Sequence, residues 1–178
     1  MNDIPPAMIF NWDQTGLQLV PTGQWTMNQS VEKMIPVAHS GDKRQVTAVL
    51  AAYLTWEFMP PEIIYQGKTT RCHPTVTAVP QGWDLWHSEN HWSNGETMES
   101  YVEKLIVFYL NEKRAALKLE KSHPALAIFD CFCGQSTPGF FSLLKKHNII
   151  AVQIPANYTE HLQPLDVSVN KPFKDQIK

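Results

Sequence analysis

Residues 124–130 read PALAIFD, an apolar run opened by proline and closed by an acid. Five apolar residues between such bounds suit a buried strand better than a helix, which needs roughly ten or more. The strand would deliver Asp130 to its carboxyl end. Working outward, GFFSLLKKH (139–147) reads as a short helix and IIAVQIP (149–155) as a second buried strand. Upstream, Met98, Tyr101, Val102, Leu105, Ile106 and Tyr109 recur at helical spacing and form one apolar face. They predict a helix from about residue 96 to 117, capped near Ser93 or Asn94. Downstream, HLQPLDVSVNKPF (161–173) opens a last helix at Pro164 and Asp166. Proline suits a first turn because its missing N–H would be unpaired there, and an acid suits it because the helix dipole is positive at that end.

The first half reads differently. AMIF, ending near Asn11, is a short buried strand; KMIPVAH (33–39) and QVTAVLAAYL (45–54) are two more, joined by the polar turn SGDKR. EFMPPEIIYQ (57–66) is a fourth, with Pro60 and Pro61 pushing it towards a sheet edge or a bulge. Residues 68–94, rich in Trp, Pro and His, read as irregular. Consecutive strands followed by helix, strand, helix, strand, helix predict one α/β domain over residues 1–178. Its central sheet would be antiparallel at first and then parallel, with helices on its faces. The strands ending at Asn11 and Asp130 would be neighbours.

The 178 residues are 43% hydrophobic and 18% charged, which is globular composition. The net charge of −2 predicts no general attraction to nucleic acid. Cys72, Cys131 and Cys133 cannot all pair, which argues for free thiols in a reducing compartment. The opening MNDIPPAMIF has no signal-peptide pattern, and residues 46–54 are too short an apolar stretch to span a bilayer. A soluble cytosolic or nuclear protein is expected. C-x-C at 131–133 lacks a second ligand pair, and HSENH (87–91) lacks the glutamate of a zinc-protease helix. Loop roles are therefore the expectation for His87 and His91. Trp83, Trp86 and Trp92 read as residues that pack a loop onto the core. The basic pairs at 43–44, 68 and 71, 145–146, and 171 and 174 read as solvated faces.

Three acids sit near strand ends: Asp13 after the first strand, Asp130 at the end of its strand, and Asp166 at the start of the last helix. Sites in parallel sheets gather beyond the carboxyl ends of strands. Carboxylates gathered there repel one another unless a cation lies between them, and hard oxygen ligands suit Mg²⁺ or Mn²⁺.

The segments NWDQTGL (11–17), AIFDCFCGQS (127–136) and PANYTEHLQPLD (155–166) carry a resemblance. They are similar to the motif blocks of the DDE superfamily endonucleases, and most resemble the pogo/Tigger/Jerky-type transposases, whose relatives include centromere protein B. SGDKRQVTAVLAAYLT and PPEIIYQGK resemble that family's early strands. The resemblance implies a ribonuclease H-like fold. It makes Asp13, Asp130 and Asp166 the catalytic and metal-holding set, with two Mg²⁺ or Mn²⁺ ions and no small-molecule cofactor. DNA is the partner it implies, self-association is open, no membrane is involved, and the nucleus is the expected location. The chain departs from the pattern at Cys131 and Gln135, where relatives carry Asn and His, and at Trp56, where they tend to carry Gly. It begins almost at the first strand, so the helix-turn-helix domains of relatives are expected to be missing. It stops inside the last helix, so little apolar surface is expected to fix Asp166. These departures predict little or no sequence-specific cleavage by this chain. The alternative is a catalytically inactive domesticated or relic fragment, serving as a nucleic-acid or protein interaction module.

Overall fold

The structure, a computed structural model, describes residues 3–19, 45–75, 78–132 and 137–177. The expected KMIPVAH strand, the SGDKR turn, Cys133 and Gln135 lie outside the described residues.

After a 3-10 turn at Pro6–Met8, β1 (Ile9–Gln18) runs antiparallel to β2 (Gln45–Tyr53) along its whole length, from Phe10 opposite Tyr53 to Gln18 opposite Gln45. β3 (Glu62–Gln66) continues the antiparallel order, and β4 (Asp84–Ser88) lies parallel to β3. On the other side of β1, β5 (Ala125–Asp130) and β6 (Ile149–Ile154) follow in parallel. The sheet order is β4-β3-β2-β1-β5-β6. The strands ending at Asn11 and Asp130 are thus neighbours as read, although β1 itself continues well past Asn11.

That continuation corrects one expectation. Asp13 is not beyond the first strand; it sits inside β1. Side chains alternate across a strand. Phe10 and Trp12 enter the main core, while Asn11, Asp13 and Thr15 turn to the opposite face, where all three are nonetheless buried. A reading by apolar runs stops at the first such polar residue. Three further expectations change. β3 is internal, because its prolines precede the strand and leave its N–H groups to pair. The sheet edge beside it is β4, inside the stretch read as irregular. β6 is an edge strand with Ile150 and Val152 exposed, not a fully buried one.

One face of the sheet carries the long helix. It consists of α1 (Gly95–Tyr101), a π turn (Val102–Ile106) and α2 (Val107–Ala116). Asn94 caps it reciprocally: Thr97 N donates to Asn94 Oδ1 at 3.0 Å, and Asn94 N donates to Thr97 Oγ1 at 2.8 Å. Met98, Tyr101, Val102, Leu105, Ile106 and Leu110 pack with α3 (Pro138–Lys146) onto Phe10, Trp12 and Phe129. Trp12 stacks on Phe129 with ring centroids 4.5 Å apart. The opposite face is smaller. Val46, Ala48, Leu50, Ala52 and Ile63 pack against Leu165 from the C-terminal helices. Those are α4 (Thr159–Leu162), α5 (Pro164–Ser168) and α6 (Asn170–Ile177), three short pieces in place of one helix.

The hairpin after β2 explains a departure noted in the sequence. Trp56 has φ +63°, in the left-handed region that favours glycine, and its N–H donates to Tyr53 O at 2.9 Å. A Cβ there is disfavoured by about 1–2 kcal/mol.

Candidate acidic site

β1 and α5 are locked together by side-chain amides. Asn11 Nδ2 donates to Ile128 O of β5 at 2.8 Å and to Gln163 Oε1 at 3.1 Å. Gln163, fully buried, donates through Nε2 to Trp12 O at 2.9 Å. Asn11 Oδ1 accepts from Leu165 N at 3.2 Å, satisfying an open N–H in the first turn of α5. Leu165 plugs the apolar cluster beneath. The block L-Q-P-L-D therefore has a physical meaning. Gln163 and Leu165 pin the turn, Pro164 starts it, and Asp166 is carried to the sheet on a fixed backbone. The expectation that a short helix would leave Asp166 poorly fixed does not hold: three hydrogen bonds and one buried leucine hold its turn.

Asp166 projects to the same face as Asp13. Asn170, one turn further on, donates through Nδ2 to Asp13 Oδ2 at 2.5 Å and to Asp166 Oδ1 at 2.7 Å. Sharing one nitrogen holds these two oxygens within about 5 Å of each other. Asp130, ending β5 beside β1, interacts electrostatically with both. The structure thus brings together all three acids singled out in the sequence. Asn170 is the member that sequence reasoning missed. Its signal was present, since Asp166 and Asn170 are four apart, the spacing at which helical side chains meet.

The electrostatics follow from this packing. Asp13 is 4% exposed, and its carboxyl is pushed up to about 7, first by burial and then by the negative charge of Asp166. A backbone bond from Gln14 and the Asn170 amide oppose the shift, and Asp130 adds to it. Asp130 is also raised, by burial and by Asp166. Without a counter-charge the site holds a proton near neutrality. Among the described residues, no three His, Cys, Asp or Glu side chains stand as a preformed metal-binding group. The Asn170 amide occupies the space between two of the carboxylates. Its own Oδ1 is buried without a hydrogen-bond partner among the described residues. Asp13 and Asp130, raised first by burial and then by the charge of Asp166, stand beside an orphaned amide oxygen, and this hard-oxygen donor set fits Mg²⁺ or Mn²⁺.

The other candidates lie elsewhere. Trp86, on β4, packs against the core with Lys104 Nζ 4.7 Å above its ring, while Trp83 and Trp92 are substantially exposed. Lys68 pairs with Glu89 at 3.2 Å, and Lys146 with Glu103 at 3.8 Å. Lys171 and Lys174 are exposed on α6, the helix that carries Asn170. Cys72 and Cys131 are free thiols, as expected.

A sheet ordered in this way, with helices on both faces and carboxylates meeting where β1, β5 and α5 converge, defines a ribonuclease H-like α/β domain with an acidic centre. The chain belongs to the DDE superfamily endonucleases, whose family model matches residues 43–178. It is similar to the human protein "Pogo transposable element with KRAB domain", with 26% identity across 99% of this chain and 27% of that one. The mouse protein of the same name is 28% identical across 99% of this chain and 28% of its own length. The chain therefore spans just over a quarter of these relatives, as a DDE domain of the pogo type. Among solved structures, a pre-cleavage Mos1 transpososome superposes with a TM-score of 0.66 at 11% identity, covering 96% of this chain and 43% of that one. The Mos1 mariner paired-end complex with Mn gives 0.64 at 10% identity, over 96% and 42%. At such identity the likeness shows the fold.

Proposed function

We propose that this domain is a divalent-metal phosphoryl-transfer core acting on DNA, with Asp13, Asp130 and Asp166 as the residues that hold Mg²⁺ or Mn²⁺. One observation carries the reading: a single amide, Asn170 Nδ2, ties Asp13 to Asp166 beside Asp130. Bound there, the ions would supply Lewis-acid polarisation of a phosphodiester and neutralise developing charge. The chain's own residues do the rest. Gln163 and Asn11 hold α5 in register with β1. Asn170 sets the separation of Asp13 and Asp166. Asp13 gives up its proton at Oδ when a cation arrives, because a positive charge favours the ionised carboxyl over the protonated one. Lys171 and Lys174 on α6 offer positive charge to phosphates of the strand. The Mos1 neighbours solved with a transposon end and with Mn support DNA and a divalent ion as ligands. The nucleus is the location that follows from acting on DNA.

The test uses supercoiled plasmid, Mn²⁺ and the purified chain. Slow, non-selective nicking that is lost in an Asp13→Asn, Asp130→Asn double variant is the expected result. Robust site-selective cutting would overturn the expectation that this chain lacks sequence specificity. The net charge of −2 favours a second reading, a non-cleaving interaction module on the same fold. Nicking that is absent from the parent, or that persists in the double variant, supports it.

A further inference from the structure

Asn170 spends its two amide ends unequally. Nδ2 donates to Asp13 Oδ2 at 2.5 Å and to Asp166 Oδ1 at 2.7 Å, which uses both of its hydrogens. Oδ1 has no hydrogen-bond partner among the described residues, and the residue is 3% exposed. Buried polar atoms are nearly always paired, so an orphaned oxygen calls for a cause. The two carboxylates supply it. An ionised carboxylate only accepts, so an amide oxygen turned towards the pair would meet nothing but like partial charge. The metal-free centre therefore selects the amide orientation that strands Oδ1.

A divalent ion reverses that preference. It needs the carboxylate oxygens that Nδ2 now engages, and it repels the positive end of the amide dipole. Mg²⁺ and Mn²⁺ favour carboxylate, carbonyl and water oxygens. Rotation about the Asn170 Cβ–Cγ bond exchanges Nδ2 for Oδ1 within one volume, and in asparagine that torsion is broad and roughly two-fold. The backbone need not move with it. Val169 and Phe173, which flank Asn170 in the chain, pack with Leu165 in the smaller apolar cluster. Val169 N donates to Leu165 O, and Phe173 N to Val169 O, both at 2.9 Å. Asn170 thus stands on an anchored turn, with a side chain that can present either end to the acids.

We propose that Asn170 is a reversible amide switch of the acidic centre: in the metal-free domain its nitrogen stands in for the cation between Asp13 and Asp166, and in the loaded domain it turns to offer Oδ1 as a fourth oxygen ligand. The switch rests on the reading of Asp13, Asp130 and Asp166 as metal ligands, and adds to them a residue from outside the carboxylate set. It also explains why the acids converge without standing as a preformed metal-binding group among the described residues. The amide keeps two of them engaged until an ion takes over.

The test is nuclear magnetic resonance of the isotope-labelled chain during titration with Mg²⁺, with the Asn170 side-chain NH2 assigned through its own Cβ. Saturating Mg²⁺ should move that proton pair upfield, as its hydrogens leave two charged acceptors. This arm needs no variant to fold. Mn²⁺ binding to two variants runs beside it, with circular dichroism establishing that each is folded. Asn170→Asp keeps an oxygen and loses the donor; it should bind Mn²⁺ at least as tightly as the parent while melting at a lower temperature without metal. Asn170→Ala loses both and should bind about tenfold or more weakly, the scale on which a lost ligand or its support acts. An NH2 pair that Mg²⁺ leaves in place overturns the switch and makes Asn170 a fixed bridge. Tighter binding by Asn170→Ala also overturns it, because the amide then only obstructs the ion. So does Asn170→Asp binding as weakly as Asn170→Ala. Absence of Mn²⁺ binding by the parent, or binding unchanged in Asp13→Asn, refutes the metal site and the switch together. Binding that falls in Asp13→Asn while the NH2 pair stays put refutes the switch alone.

Discussion

Asp13→Asn should stabilise the metal-free protein above neutral pH. In the fold the Asp13 carboxyl is pushed from its ordinary range up to about 7, whereas in the unfolded chain it titrates near 3.9. The folded state therefore binds the proton more tightly. Its stability is fully present below about pH 4 and is lost as pH rises through about 7. At 1.36 kcal/mol per unit, the full penalty approaches about 4 kcal/mol at pH 8. Relaxation of the site and its coupling to Asp166 reduce this, so roughly 2 kcal/mol is expected on replacement. Asparagine keeps the shape, still accepts from Asn170, and carries no charge. For a domain of this size the gain corresponds to about 4–8 °C in melting temperature. The assay is thermal unfolding of parent and variant in EDTA at half-unit steps from pH 5 to pH 8. The variant's advantage should be largest at pH 8 and shrink steadily towards pH 5. Added Mg²⁺ should narrow the gap, because it stabilises the parent. A variant less stable than the parent at pH 8, or an advantage that does not change with pH, would refute the reasoning.

Gln163→Ala should cost about 2–4 kcal/mol, since it leaves Trp12 O and Asn11 Nδ2 short of partners in a buried place; urea unfolding measures it, and a loss below 0.5 kcal/mol would contradict the lock on order-of-magnitude grounds. Trp56→Gly should stabilise by roughly 0.5–1 kcal/mol, because glycine accepts φ +63° without the Cβ clash and the indole is 74% exposed; a loss of stability would show that the ring packs usefully. Glu62 is fully buried beside Asp84, and burial followed by that negative charge raises its carboxyl well above the usual range. Glu62→Gln should therefore be at least as stable as the parent at pH 8, with its relative advantage falling as pH drops.

The sequence revealed most where apolar pattern and chain order coincide. PALAIFD, GFFSLLKKH and IIAVQIP each became the element they suggested, because length and flanking proline or polar residues decide between strand and helix there. The acids were legible for a different reason: three motif blocks placed them, and strand order put them near one another. What escaped notice was set by tertiary contacts. β1 hides Asp13 in its middle because its polar residues face Asn170 and Gln163, which are more than 150 positions away. β4 is five half-buried residues without alternation, so nothing local marks it as a strand. Asn170 carried only a four-residue spacing, which gains meaning once Asp166 is known to face the sheet. His73 Nε2 and His87 Nδ1, hydrogen-bonded at 3.2 Å, join two residues in a stretch with no periodic signal at all.

The central claim is that Asp13, Asp130 and Asp166 share a divalent-ion site. The most direct measurement is Mn²⁺ binding to the purified chain, followed by loss of the free-ion electron paramagnetic resonance signal at pH 6 and pH 8. Saturable binding is expected, tighter at pH 8 because Asp13 must lose its proton, and weakened by about tenfold or more in Asp13→Asn and in Asp130→Asn. Binding of equal strength in parent and variants, or no saturable binding at either pH, would contradict it.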